Sequence, residues 1–548
     1  MADYRPLTDY LRRWLAAVPA VGLAVAVTDR QQTLYTAALG YADLAARSPV
    51  TADTTFQIGS IGKSMTSLAL LQLVDARRLD PNVPLSAHLP WFAMPSRYGA
   101  ITLRHVLCHT AGLPAGTDFT PAARYEGFAL RDTEAPWEPG TRFHYSNTGY
   151  KLLGWLLEDI TGQDYGSVIR ERVLVPLGMT ATDSVMTHHT RHRMATGYVP
   201  LHDDRPYRKN DTLIPATWME YGVGDGSPAS TAEDMARYAR LWLNDGRGEA
   251  GPIVSPATYS LMTTPAINMA RGEDYEHDYG YGFGIISHQA DGHHFIGHGG
   301  STVGFRAIMM ADQTDGLGVV ILCSGFDVDT YGPARYALQF AAAIRNGQPA
   351  PEPPPVPDVT RVADTNRYAG DYVDQSTGTT LSIRSEKGGL RLYAVGVNTQ
   401  LEYIDGSAFC APHDAFDPFP LRFRAAGADE PTVEIHHGAD VYVRRGSEPL
   451  AATAPYPEEW AAFTGHYRSH APYVSNFRVI LRRGRLYLAW PNGGEQPLTP
   501  HPSDAGPSPR FLVGPAGEPS AEWVRFHPVV ARRALRALWA GGGSFYRV

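Results

Sequence analysis

The sequence predicts a layered α/β (α+β) domain followed by two small antiparallel β-barrels, and three observations carry that expectation. Strand-like apolar runs stand near the start of the chain and again around residues 280–323, with helical stretches between them. A proline-rich run, NGQPAPEPPPVPDV at 346–359, then interrupts the chain as a semi-rigid spacer. Beyond it the texture changes to short alternating strands with Gly, Asp and Pro turns, in two copies.

The elements follow in order. MADYRPLTDYLRRWLAAV carries charges through what an export signal would keep apolar, and reads as an amphipathic helix. VGLAVAVTD (Val21 to Asp29) and TLYTAAL (Thr33 to Leu39) read as two strands. The stretch Ser60 to Arg78 is too apolar for a surface helix and is expected at the centre. Further helices are expected at 103–108, 149–161, 165–173 and 232–244. Strands return at 282–288, 294–297, 307–312 and 317–323, and TYGPARYALQFAAAIRN suits a helix packed on that sheet. In the tail, RYAGDY … GLRLYAV … PLRFRA … ADVYVRR is echoed by AFTGHY … GRLYLAW … PRFLVG … GSFYRV. Closure into barrels would remove exposed sheet edges. The expected domains are therefore 1–345, the linker 346–359, and barrels at 360–449 and 455–548.

With 548 residues the chain exceeds what one hydrophobic core supports. A net charge of −8 excludes an extensive nucleic-acid surface, and no apolar run approaches the roughly 18 residues of a membrane span. Cys108, Cys323 and Cys410 lie far apart, with no C-x-x-C pair, so neither a disulfide framework nor a zinc knuckle is expected. These features fit a reducing, cytoplasmic setting.

Chemistry concentrates in three motifs. FQIGSIGKS holds Ser60-x-x-Lys63, which a helix start would place one turn apart on a single face. There a neutral amine can take the hydroxyl proton as serine attacks a carbonyl, and the helix N-terminus favours the developing oxyanion. Arginine cannot do this, because its guanidinium stays protonated. Of the 48 Lys and Arg residues just four are lysines (63, 151, 209 and 387), so a lysine at 63 is informative. Gly62-Lys63-Ser64 hints at a phosphate loop, but that motif needs glycine where Gln57 stands; Ile58 likewise excludes a G-x-S-x-G elbow. In GTRFHYSNTGY, the phenol of Tyr145 can relay protons and Asn147 can ligate lysine and substrate amide, although Ser-Asn also suits a plain turn. In FIGHGGSTVGF, Gly299 and Gly300 let a substrate backbone lie close to the strand, and His298 can donate a hydrogen bond or carry positive charge. His188, His189 and His192 could share a helical face, but no carboxylate stands beside them with metalloprotease spacing.

Together, S-x-x-K, Y-x-N and H-x-G, in that order within one domain-sized stretch, resemble the serine β-lactamase/penicillin-binding-protein superfamily. ITLRHVLCHTAGLP, VLVPLGMTAT and GSPASTAEDMARY resemble its linking segments. The resemblance implies a β-lactamase/DD-peptidase-like catalytic domain with Ser60 as nucleophile and Lys63 and Tyr145 as the proton-transfer pair. It makes Asn147 a substrate and lysine ligand, and builds the oxyanion hole from the N–H groups of Ser60 and Ser301. It calls for no cofactor and no metal. His298 stands where family β-lactamases have a lysine that meets a substrate carboxylate, which argues against true β-lactamase activity. The H-x-G variant and two appended lipocalin-like barrels resemble three-domain D-aminopeptidases. The leading expectation is thus an amidase or peptidase for small, D-configured substrates. Alternatives are an esterase, an acyltransferase or peptide-cyclising thioesterase, and, from another class, a penicillin-binding-like sensor without efficient turnover. The implied partner is a small amide, peptide or ester, with no nucleic acid and no membrane.

Overall fold

The structure is a computed structural model of the whole chain and describes every residue except 1–2, 117–122, 270–278, 429, 503 and 505–508. It divides into two compact units. The first runs up to Val199 and resumes over Ile214–Val356; the second comprises Pro200–Leu213 and Pro357–Val548.

The first unit is organised on a nine-stranded antiparallel sheet. Its strand order is Ile267–Asn268, Tyr279–Tyr281, Ile286–Ala290, His293–Thr302, Phe305–Asp312, Leu317–Gly325, Ala20–Asp29, Thr33–Asp43 and Ser48–Pro49. Strand Ala20–Asp29 reads as one apolar run because both of its faces are covered. Ala24 and Ala26 point to one core, whereas Leu23, Val25 and Val27 point to the other. The alanine face meets helix Ala232–Leu243, and small residues there let the helix sit close. The other face is closed by Arg5–Leu15 and Tyr331–Arg345. The first of these presents Leu7, Tyr10, Leu11 and Trp14 at helical spacing, and Tyr10 packs on Tyr336 with ring centroids 4.7 Å apart.

The helix expected from Ser60 begins instead as a 3₁₀ turn, Gly59–Ile61, and continues as the α-helix Gly62–Asp75. It is buried around its whole circumference over Gly62–Leu71, as its uniform apolarity requires. The expected strand at 282–288 is corrected: Tyr279–Tyr281 and Ile286–Ala290 pair across a turn in which Gly284 takes a φ of +84°, a geometry that hydrophobicity alone does not signal. The expected helix at 165–173 is α-helical over Tyr165–Ile169 and widens into a π-turn at Arg170–Leu174. His188 and His189 fall in a turn ahead of the 3₁₀ segment Arg191–Arg193, so they share no helical face with His192. Among the described residues no helix is long and apolar enough to cross a membrane.

The second unit holds two sheets with separate cores. The strands between Gly465 and Arg547 form a closed eight-stranded barrel. Those between Gly370 and Arg444 form a barrel-like, nine-stranded antiparallel sheet whose end strands, Val397–Gln400 and Glu402–Asp405, adjoin in sequence without pairing to each other. The sequence echo has a physical basis. In each copy the tyrosine of the opening strand is buried and donates to the carbonyl four residues back: Tyr372 to Tyr368 at 2.8 Å, Tyr467 to Phe463 at 2.7 Å. In each, an arginine of the last strand pairs with that tyrosine in register and caps carbonyls of the preceding segment: Arg444 to Ala369, Arg547 to Ala462.

Pro200–Leu213 lies between halves of the first unit in sequence, yet it binds both sheets of the second. Asp203 meets Arg468 at 2.6 Å and accepts from Asn476 at 2.9 Å, and Asp204 meets Arg478. Arg208 pairs with Asp417, and the Lys209 N–H donates to Glu402 at 2.8 Å.

Loss of either buried phenol leaves a carbonyl without its donor. Tyr372→Phe and Tyr467→Phe should each cost about 1–3 kcal/mol, lowering the thermal unfolding midpoint, while Tyr546→Phe, at a half-exposed side chain, should leave it unmoved.

Candidate active site

Backbone contacts bring the helix that follows Ser60 against the sheet. Gly59 takes a φ of +52°, and a Cβ there would fall 2.8 Å from the Ser301 nitrogen; a Cβ on Gly300 would fall 1.9 Å from the Ile58 carbonyl oxygen. Neither position has room for a side chain, so the peptide groups beside Ser60 lie directly on strand His293–Thr302. Gly299, on the opposite side of that strand, is exposed.

Lys63 is wholly buried one turn beyond Ser60. Its Nζ donates to Ser60 Oγ at 2.9 Å and to the Asp225 carbonyl at 2.7 Å. It stands 4.9 Å from the centre of the Tyr145 ring and 5.7 Å from that of Tyr150. Asp225 is itself fixed, since both of its carboxylate oxygens accept from the Tyr221 phenol at 2.6 and 2.8 Å.

Tyr145 precedes helix Asn147–Thr161. Ser146 is the N-cap: its Oγ accepts from the Gly149 N–H at 3.0 Å and donates to the Pro114 carbonyl at 2.6 Å. Asn147 is the first helical residue, and its N–H donates to Ala115 at 2.9 Å. Tyr145 and His298 face each other with ring centroids 6.3 Å apart.

Of the two readings the sequence leaves for His298, hydrogen-bond donor or carrier of positive charge, the geometry favours the first. It is buried; its Nδ1 lies 2.5 Å from the Gly299 carbonyl and its Nε2 lies 3.2 Å from the Tyr281 hydroxyl. A carbonyl can only accept, so the proton belongs on Nδ1 and Nε2 accepts from the phenol. Burial lowers its pKa to about 4, against the opposing pull of the Gly299 bond and with help from Lys63. The imidazole is therefore neutral at ordinary pH. Burial holds the Tyr281 phenol well above its usual range, with Tyr150 and Tyr145 adding to the shift, so Tyr281 remains a donor.

Thus Ser60, Lys63, Tyr145, His298 and Ser301 converge, and Asn147 stands two residues beyond Tyr145. Sequence reasoning missed Asp225 and Tyr281. Asp225 acts through its main-chain carbonyl, which any residue supplies; the family-like segment GSPASTAEDMARY begins one residue later. Tyr281 lies in YGYGFG, where no spacing marks it as the partner of His298.

A helix-borne serine–lysine pair set against a strand of an antiparallel sheet is the architecture of the penicillin-binding proteins and serine β-lactamases. The chain belongs to the Beta-lactamase family, whose pattern it matches over residues 11–344. It is 27% identical over 390 residues to Penicillin-binding protein 4* of Bacillus subtilis, covering 66% of this chain and 81% of the relative. To a D-aminopeptidase of Cereibacter sphaeroides it is 28% identical over 411 residues, covering 71% of each. In fold it resembles the octameric penicillin-binding protein homologue of Pyrococcus abyssi, with a TM-score of 0.58 and 24% identity, covering 81% of this chain and all of that one. The chain shares the serine-hydrolase framework of this superfamily, joined to C-terminal barrel-like sheets.

Two outcomes follow from the geometry. Gly300→Ala forces a methyl group onto the Ile58 carbonyl and should slow labelling of Ser60 by a fluorophosphonate about 100-fold or more. Second, an unfolded histidine takes up its proton near pH 6.5 but folded His298 near 4. Between those values the unfolded chain binds the extra proton, so the stability contributed by His298 is lost as pH drops from about 6.5 to about 4, and this contribution levels off below. His298→Gln removes that contribution, and its thermal midpoint should fall less between pH 7 and pH 4.5 than that of the parent.

Proposed function

We propose that the chain is a serine acyl-enzyme hydrolase cleaving amide or peptide bonds of small, D-configured substrates. The observation that carries this is the 2.9 Å contact between the Ser60 hydroxyl and an amine wholly removed from water. In this reaction Lys63, with Tyr145, takes the proton from Ser60 Oγ as the oxygen attacks the substrate carbonyl. The N–H groups of Ser60 and Ser301 receive the oxyanion, while Asn147 orients the substrate amide. The substrate backbone runs along Gly299 and Gly300. Collapse of the tetrahedral intermediate returns the proton to the leaving amine; water then attacks the acyl-enzyme and regenerates Ser60.

The substrate class rests on two supports. A neutral His298 supplies no fixed cation for a carboxylate like that of a β-lactam. A relative over 71% of the chain is a D-aminopeptidase.

D-amino amides should be turned over with kcat/KM at least about 100-fold above their L-enantiomers, and above p-nitrophenyl esters and peptidyl thioesters. A preference for L-substrates, for esters, or for transfer to an added amine over hydrolysis would overturn the assignment. Ser60→Ala should abolish both turnover and fluorophosphonate labelling. Lys63→Arg keeps the charge but cannot deprotonate, and should retain less than about a tenth of the parent rate, a barrier increase above ~1.4 kcal/mol.

A further inference from the structure

We propose that His109 is a positioning residue that sets the Tyr145 phenol for proton transfer; the proposal rests on the role given to Tyr145 above. His109 follows the short helix Leu103–Leu107 and is almost completely buried. Its backbone is left-handed, with φ +57°, a conformation that non-glycine residues rarely adopt and that persists where surrounding contacts impose it. Those contacts are specific. The His109 carbonyl accepts from the His144 N–H at 2.8 Å, and its Nδ1 accepts from the Ser146 N–H at 3.0 Å. One residue thereby holds the main chain on both sides of Tyr145.

The imidazole also packs on the phenol itself, with ring centroids 4.2 Å apart and planes 36° apart. It meets the Tyr150 ring at 5.0 Å and the Tyr281 ring at 4.9 Å, so it also packs against the partner of His298. Burial, then Lys63 and His298, push its pKa well below the usual value. A neutral ring keeps Nδ1 as an acceptor; a protonated one would turn that nitrogen into a donor facing the Ser146 N–H. His109 holds the main chain on both sides of Tyr145 and packs on the Tyr145 ring, so its assigned action on the reaction passes through Tyr145.

Two substitutions separate this role from plain packing. Asparagine tolerates the left-handed backbone and offers Oδ1 as an acceptor close to the place of Nδ1; glycine tolerates the backbone but offers no acceptor. His109→Gly should lower kcat about 30-fold or more with KM within about threefold, and should slow fluorophosphonate labelling of Ser60 in parallel. His109→Asn should recover kcat to within about fivefold of the parent, with the two variants matched in thermal midpoint. In a Tyr145→Phe background, itself slow, His109→Gly should add less than about twofold, because the positioned group is already gone. Normal kcat in His109→Gly, equal losses in the Gly and Asn variants, or an undiminished loss in the Tyr145→Phe background would each overturn the proposal. A Tyr145→Phe enzyme of parental rate would instead overturn the proton-transfer role of Tyr145, and the two failures are thereby told apart.

Discussion

An amine must be taken out of water and still be held within hydrogen-bonding distance of the serine it serves. Lys63 meets that demand with one bond to Ser60 and one to the main-chain carbonyl of Asp225, among the rings of Tyr145 and Tyr150. Leaving a buried polar group unsatisfied costs about 1–3 kcal/mol, and more for a charged one, so the surroundings have to supply acceptors in fixed places. A helix buried on all sides therefore carries the pair, and it needs a covering layer on every face.

The sheet meets the helix through backbone rather than side chains. Gly59 against Ser301 and Gly300 against Ile58 bring two main chains into contact, beside the peptide groups proposed above to receive the oxyanion. On the same strand His298 is buried, and its two nitrogens are taken up by Gly299 and Tyr281. Under the function proposed above, a neutral imidazole in this place leaves substrate selection to shape and hydrogen bonding more than to charge.

The second unit obeys a different constraint. Small sheets with modest cores depend on fixing the first strand to the last, and both copies do so with the same tyrosine and arginine pair. Pro200–Leu213 adds charged links to both sheets, so the integrity of this unit depends on residues encoded between the two stretches of the first unit. A chain cut near residue 347 keeps that segment and loses everything it binds.

Much of this was legible in the sequence, because local chemistry dictates it. Apolar runs marked the strands at 21–29 and 317–323, the apolar stretch 60–78 marked a central helix, and the retention of lysine in an arginine-rich chain marked position 63. Family-like spacing then picked out Tyr145, Asn147 and His298; the structure sets Ser60 and the Tyr145 ring against the Lys63 amine and His298 near Tyr145, with Asn147 opening the helix that follows. What the sequence could not determine depends on partners far along the chain. The carbonyl of Asp225 has no residue-type signature. The neutrality of His298 follows from burial and from Lys63 nearby, and the constraint on His109 from backbone donors at 144 and 146. The allegiance of 200–213 lies in ion pairs and hydrogen bonds to residues 149 to 274 positions away. Each of these is a property of desolvation and long-range pairing, which exist only once the chain has folded.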